Sequence, residues 1–189
     1  MISGVVLAAG TASRFGGTKQ LAILDGRPLV IHAVDALRDG GVDEIVVVTG
    51  HDAERVEAIL PDDVRVTRNP DYRSGQASSL GAGLHGVGAA SEAAVVLLAD
   101  QPGVLAPEIA AVVARFRTGR ARIVRIRYRD APGPALLSRE VYAEAGHLHG
   151  DVGARVLIAS HPEWVDEVEI DRPAPRDVDE PADLEASDP

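Results

Sequence analysis

The chain has 189 residues, 46% hydrophobic and 25% charged, the size and composition of one globular domain with a real core. Nineteen Lys and Arg against 29 Asp and Glu leave a formal charge of -10, which excludes non-specific binding to nucleic acid or an anionic membrane as the main role. The absence of cysteine excludes disulfides, thiolate zinc sites, iron–sulfur clusters and cysteine nucleophiles.

In chain order, the first element is an apolar run at residues 2–8, the pattern of a buried strand. It lacks the basic flank and the length of a secretory leader, and no stretch approaches the ~20 apolar residues of a membrane span, so a soluble, cytoplasmic protein is expected. The run feeds into VLAAGTASRFGGTKQL, residues 6–21, where Gly10, Gly16 and Gly17 stand beside Arg14 and Lys19. A strand running into a glycine-rich turn brings backbone N–H groups to the carboxyl end of a sheet, where phosphate is the natural guest. Arg then supplies a forked grip and Lys a point charge. An ordinary strand-to-helix loop with exposed cations is the bland alternative. The loop is not a Walker A motif, because Gln20 follows the lysine where Ser or Thr would hold magnesium.

From Pro28 onward, the spacing of Leu29, His32, Ala33, Ala36 and Leu37 predicts a helix that stops at Gly40 and Gly41. A strand over 44–49, a helix over 53–60 capped by Asp52, and a strand over 64–67 follow. His51 is a lone loop histidine, read as a surface residue or a catalytic one. Ser78 or Ser79 is read as opening a third helix. The string GAGLHG, residues 81–86, matches the dinucleotide fingerprint by letter but follows no strand, so a Rossmann dehydrogenase is set aside. A strand over 94–99 drives into Asp100 at the sheet edge that carries the first loop. That placement suits Mg²⁺ completing its shell with phosphate and water; a turn or cap role for Asp100 is the alternative. Ala106 and Pro107 begin a fourth helix with Ile109, Val112, Val113 and Phe116 on its apolar face. Strands alternating with helices predict an α/β domain with a mostly parallel sheet over residues 1–184, followed by a polar tail at 185–189.

In the last third, RARIVRIRYRD alternates Arg125, Arg127 and Arg129 with Val124, Ile126 and Tyr128. This predicts a strand whose basic face meets an anionic substrate, a partner or the chain's own acids. His147 and His149 have no third ligand at a metal-site spacing. In GDVGAR, residues 150–155, Asp151 is read as the cap of a helix over 152–159, and Arg155 as half of a salt bridge. RDVDEPADL, residues 176–184, sets Asp177 and Asp179 at strand spacing on one face, as a second metal ligand or, for Asp179, as the cap of a short helix from Pro181.

Five strings carry a family resemblance in this order: LAAG with SRFGGTKQL (7–21), NPDYRSGQASSLGAGL (69–84), LLADQP (97–102), GDVGAR (150–155) and DVDEPADL (177–184). Together they resemble the MobA-like nucleotidyltransferase family, in its molybdenum cofactor cytidylyltransferase branch, over nearly the whole chain. The resemblance implies a three-layer α/β/α, Rossmann-like nucleotide-diphospho-sugar transferase fold. The implied reaction transfers a nucleotidyl group from a nucleoside triphosphate to a phosphorylated acceptor and releases pyrophosphate. Leu7, Ala8, Ala9, Gly10, Arg14, Gly16, Gly17 and Lys19 are implied to hold the nucleotide, with Arg14, Lys19 and Asp100 catalytic. Gln76, Ser78 and Ser79 are implied near the base or ribose, Asp100 with Asp179 or Asp177 around Mg²⁺, and Asp151 with Arg155 beside the acceptor. Ala9 in the LAAG opening favours CTP. The implied acceptor is of molybdopterin type, and a molybdenum hydroxylase is a candidate partner. The chain departs from the branch at Pro132, Gly133 and Pro134, where Gly-His-Pro is usual, and at Glu180, where Thr is usual. A maturation chaperone for the finished nucleotide cofactor, or a transferase acting on another phosphorylated acceptor, therefore stands beside the first reading.

Overall fold

In the computed structural model, which describes residues 1–11 and 15–184, strand β1 (Ile2–Leu7) runs through the middle of a seven-stranded sheet. Arg14 and the tail at 185–189 lie outside the described residues. A short hairpin follows, β2 (Ile23–Leu24) and β3 (Arg27–Pro28), turning on Asp25 and Gly26 with φ of 49° and 76°. Two successive positive φ values are what a two-residue hairpin turn needs to match the twist of its strands. Helix α1 (Leu29–Asp39) and strand β4 (Glu44–Thr49) fall where the spacing places them. Helix α2 (Ala53–Glu57) is shorter than expected. Its last turn tightens, with Ile59 and Leu60 N–H groups donating to the carbonyls of Val56 and Glu57, and Pro61 cannot extend it.

Strand β5 (Arg65–Arg68), helix α3 (Gln76–Gly86), strand β6 (Ala93–Leu98) and helix α4 (Ala106–Thr118) complete the alternating part. Helix α3 starts ahead of Ser78 and Ser79; Gly75 is its N-cap residue, and both serines lie in the first turn. Strands β7 (Ile123–Tyr128) and β8 (Pro132–Ser138), the short helices α5 (Tyr142–Gly146) and α6 (Ala154–Ser160), and strand β9 (Val165–Ile170) follow. The sheet order is β5-β4-β1-β6-β8-β7-β9. It is mostly parallel, but β8 runs against both neighbours. The turn after β7 explains this: the Tyr128 N–H reaches the Ala131 carbonyl at 3.0 Å, a hairpin connection too short for a parallel crossover.

The two sheet faces carry separate cores, which makes three layers. Ile2, Val6, Ile45, Val47, Val95 and Leu97 pack with Val30 and Leu37 of α1 and Ile109 and Val112 of α4. On the opposite face Val5, Val46, Val48 and Ala94 pack with Leu80 and Leu84 of α3, Ala145 of α5 and Leu157 of α6. Among the described residues no helix is long and apolar enough to cross a membrane.

Two sequence features turn out to serve this packing. The GAGLHG string lies inside α3, where a Cβ on Gly83 would stand 2.5 Å from Val5 Cγ1 and one on Gly86 would stand 2.3 Å from Thr67 Oγ1. Glycine here lets the helix approach the sheet. The arginine row meets the chain's own acids: Arg125 pairs with Glu167 on the adjacent β9, Arg127 stands opposite Glu169 in register, and Arg129, beyond the end of β7, pairs with Asp171.

Gly83→Ala is expected to lower stability by about 1–3 kcal/mol through overpacking, whereas Gly81→Ala, whose Cβ would meet nothing within 4 Å among the described residues, is expected to be neutral or to stabilise by up to about 1 kcal/mol. Urea unfolding of the two variants checks the contrast.

Candidate active site

The chain leaves β1 toward β4 and β5 and then returns to β6 on the other side of β1. Open α/β sheets bind ligands in the crevice outside the strand carboxyl ends at such a reversal. A cleft of about 880 Å³ lies there, the size of a nucleotide-scale pocket. Leu7, Ala9, Gly10 and Thr11 come from the end of β1, and Leu98, Ala99 and Asp100 from the end of β6. His51 follows β4, residues 72–76 lead into α3, and Asp151 faces them from the loop before α6. Ala8 lies buried just outside this lining, while Gly16 and Gly17 line a smaller adjoining hollow.

Lys19 lies at the cleft, its side chain only 12% exposed. Its ammonium is 2.7 Å from Asp100 Oδ2 and 3.2 Å from Asp179 Oδ1. Burial alone would push Lys19 down, but its hydrogen bonds and charge contacts with Asp100 and Asp179 outweigh burial and hold it above its ordinary value. The other Asp100 oxygen, Oδ1, is buried and has no hydrogen-bond partner among the described residues.

Asp177 and Asp179 are not on a strand; residues 173–179 have no regular secondary structure. The segment is held by pairing of another kind. The Val178 N–H donates to the Asp100 carbonyl at 2.9 Å, and the Val178 side chain is buried with Leu24 and Leu29. That insertion sets its neighbours: Asp177 accepts from Gln101 Nε2 at 2.8 Å, and Asp179 turns toward Lys19. Burial, then the charges of Asp100 and Asp179, push the Asp177 carboxyl up. The short 3-10 helix Pro181–Leu184 does begin at Pro181, but the capping carboxylate is Asp183, which accepts the N–H groups of Asp179 and Glu180 at 2.8 Å each.

A second anchor lies upstream. Arg172 donates to both Glu108 oxygens at 2.7 and 2.9 Å and to the Gly103 carbonyl at 2.8 Å. Tyr128 donates to Glu108 at 2.7 Å, and the Leu105 N–H at 3.0 Å. Burial would raise the Glu108 carboxyl, but these bonds, led by Arg172, hold it below the ordinary value. The network fastens the start of the C-terminal segment to α4 and β7.

On the opposite wall, Ser79 lines the cleft, while Ser78 is not among the lining residues. Both hydroxyls accept from Asn69 Nδ2, at 2.9 and 3.1 Å, and Ser78 also donates to the Asp71 and Gly75 carbonyls, so it holds the turn into α3. Gly75 has φ of 113°, and a Cβ there would stand 2.2 Å from the Gly150 carbonyl carbon, so only glycine lets the two loops meet. The Ala77 N–H donates to the Gly150 carbonyl at 3.1 Å. This contact brings Asp151 to the cleft, whereas the N-cap of α6 is Gly153, so Asp151 is not the expected cap. Arg155 is exposed on α6 and does not line the cleft. Sequence reasoning missed Arg73, which does line it, with its guanidinium 5.6 Å from the Tyr72 ring centre. The signal available was a basic residue inside the NPDYRSGQ string. His51 also lines the cleft; its backbone N–H donates to the Ala9 carbonyl at 3.1 Å.

A glycine-rich loop and a half-buried lysine thus meet at the switch point, facing a carboxylate just past the end of β6. The chain belongs to the MobA-like NTP transferase family, whose domain matches residues 4–165. It is 32% identical over 188 residues to nicotine blue oxidoreductase of Paenarthrobacter nicotinovorans, covering 94% of this chain and 92% of that one. Its fold superposes on Rv0371c of Mycobacterium tuberculosis H37Rv with a TM-score of 0.87 and 30% identity, over 98% of this chain and 95% of that one. The manganese complex of Rv0371c superposes at 0.84, with the same 30% identity, over 98% and 96% of the two chains. A stretch of 47 residues, 24% of each chain, is 49% identical to the probable molybdenum cofactor guanylyltransferase of Thermococcus sibiricus. The central sheet with helices on both faces is the nucleotide-diphospho-sugar transferase fold.

Arg172→Ala is expected to cost about 2–4 kcal/mol, because it leaves the buried Glu108 carboxylate without its main partner. A depressed carboxyl contributes stability above its unfolded-state value and loses it as pH falls through the lower folded value. Without Arg172 that folded value rises, so acid unfolding should begin at higher pH. Urea melts at neutral pH and an acid titration followed by circular dichroism check both.

Proposed function

We propose that this nucleotidyltransferase is metal-dependent and moves CMP from CTP to a molybdopterin-type phosphorylated acceptor, releasing pyrophosphate. The carrying observation is the Lys19 ammonium set between Asp100 and Asp179 where the glycine-rich loop meets the switch-point cleft. Ala9 in the LAAG opening supports CTP, and the molybdenum cofactor named for the Thermococcus relative supports the acceptor class. The oxidoreductase activity in the name of the Paenarthrobacter relative is not carried over, because the GAGLHG glycines serve packing inside α3.

The residues fit a hard divalent cation. Asp100 Oδ1 is a buried carboxylate oxygen with no hydrogen bond among the described residues, and the Asp179 carboxylate reaches the same ammonium as Asp100. Among the described residues no group of three or more His, Cys, Asp or Glu side chains is arranged to hold a metal. A site of this kind draws its remaining ligands from phosphate and water, as Mg²⁺ prefers. The manganese complex of Rv0371c supports a divalent ion in this family. We assign Asp100 and Asp179 as its protein ligands, with Asp177 beside them. Bound there, Mg²⁺ would neutralise charge on the triphosphate oxygens.

The chain's own residues supply the rest. Gly10, Gly16 and Gly17, with Ala9 at the strand end, offer backbone groups to the triphosphate, and Lys19 with Arg14 neutralises it; Leu7 lines the cleft, while Ala8, buried with its N–H on the Val48 carbonyl, supports the strand end instead. Gln76 and Ser79 face the nucleoside. On the acceptor side Arg73, together with Asp151, takes the place expected of Arg155. An acceptor phosphate oxygen bonds to the α-phosphorus in line while the bond from that phosphorus to the bridging oxygen breaks, and pyrophosphate leaves. The acceptor phosphate is already ionised near neutral pH, so positioning and electrostatics carry the rate.

The test is metal-dependent pyrophosphate release from CTP, GTP, ATP and UTP, with and without molybdenum cofactor. Release with CTP and cofactor alone is expected; tight binding of the cytidylated product without turnover would instead favour a carrier that delivers the cofactor to a molybdenum hydroxylase. Lys19→Ala should lower turnover by roughly 100-fold or more with the far-ultraviolet circular dichroism unchanged.

A further inference from the structure

The glycine-rich loop is tied to the body of the protein at both ends. At its start, Gln20 Nε2 donates to the Gly10 carbonyl at 2.9 Å. At its end, the buried Thr18 donates its hydroxyl to the Asp52 carboxylate. Arg55 Nη1 backs this contact, donating to Asp52 Oδ2 at 3.1 Å and to Thr18 Oγ1 at 3.3 Å. Gly16 and Gly17 stand between these ties, and among the described residues no atom lies within 4 Å of their Cβ positions.

Asp52 is not used as its place in the sequence suggests. It occupies the N-cap position of α2, yet its side chain makes no capping bond to a backbone N–H of that helix. Its backbone is left-handed, with φ of 51° and ψ of 34°, a region that residues other than glycine enter at a cost and that Asp and Asn tolerate best. A capping residue that forgoes its cap and takes up this backbone is committed to another partner, which here is Thr18. The residue before it is fixed too, since the His51 N–H holds the Ala9 carbonyl at 3.1 Å.

We propose that Asp52 is a positioning residue for the triphosphate, acting through Thr18 to fix the path of the loop so that Gly16, Gly17 and Lys19 face the phosphates. The inference rests on the reading of this loop as the triphosphate site, and it extends that site to α2, which neither the strand nor the loop contains. The carboxylate touches no phosphate itself; it sets the shape of the loop that does.

The probe is inorganic tripolyphosphate with Mg²⁺, titrated into the full chain by calorimetry. Asp52→Gly keeps the left-handed backbone free of strain and removes the acceptor; Thr18→Val removes the donor at nearly constant shape. Each should weaken binding roughly tenfold, with a double variant no weaker than either, and should speed amide exchange at residues 15–18. Asp52→Asn and Thr18→Ser keep the hydrogen bond and should bind within about threefold of the parent. Parent-like affinity in Asp52→Gly or Thr18→Val, or additive losses in the double variant, would overturn the latch and leave the loop reading standing. No binding to the parent chain would overturn the loop reading and the latch with it.

Discussion

Asp100, Asp177 and Asp179 crowd the carboxyl edge of the sheet, and the Lys19 ammonium lies 2.7 Å from the first and 3.2 Å from the last. Like charges gathered at one edge raise one another's cost of ionisation, and a cation among them relieves it. Burial first, and then the like charges of Asp100 and Asp179, push the Asp177 carboxyl upward against the pull of its Gln101 hydrogen bond. The glycine-rich loop must therefore deliver a cation, and the C-terminal segment must return to meet it. The hairpin of β2 and β3 and the small cluster around Val178, Leu24 and Leu29 bring them together.

Much of this architecture can be read from the amino-acid order. Residues 44–49 form a strand because five apolar or β-branched positions follow Glu44 there and leave no polar face to expose. Helix α1 follows from its apolar spacing and the paired glycines that end it. Lys19 and Asp100 were legible because each follows an apolar strand that must surface at the same edge. The reversal at β8 was not legible, since direction is set by a short turn whose partner strand lies elsewhere. Asp177 and Asp179 show the same limit. Alternation suggests a strand, but their placement comes from the inserted Val178 and the Gln101 amide, contacts more than 70 residues away in sequence. Arg73 and Asn69 escaped notice because their roles depend on how the turn into α3 is folded.

Glycine carries opposite duties in two stretches of similar composition. In the first loop it leaves backbone groups open beside a cation. In α3 it removes side chains so that helix and sheet touch, and Gly83 and Gly86 stand where a methyl group would collide. Composition cannot separate these duties; the element in which each glycine sits decides. This is why a fingerprint match by letter carried no functional weight here.

The pairing of Lys19 with Asp179 closes a contact across 160 residues. During synthesis, β1, the glycine-rich loop and Asp100 are all made long before Asp179 emerges. Completion of the site is thus coupled to the arrival of residues 177–179, and a partly translated chain is chemically distinct from the finished one at the place where ligands would first engage it.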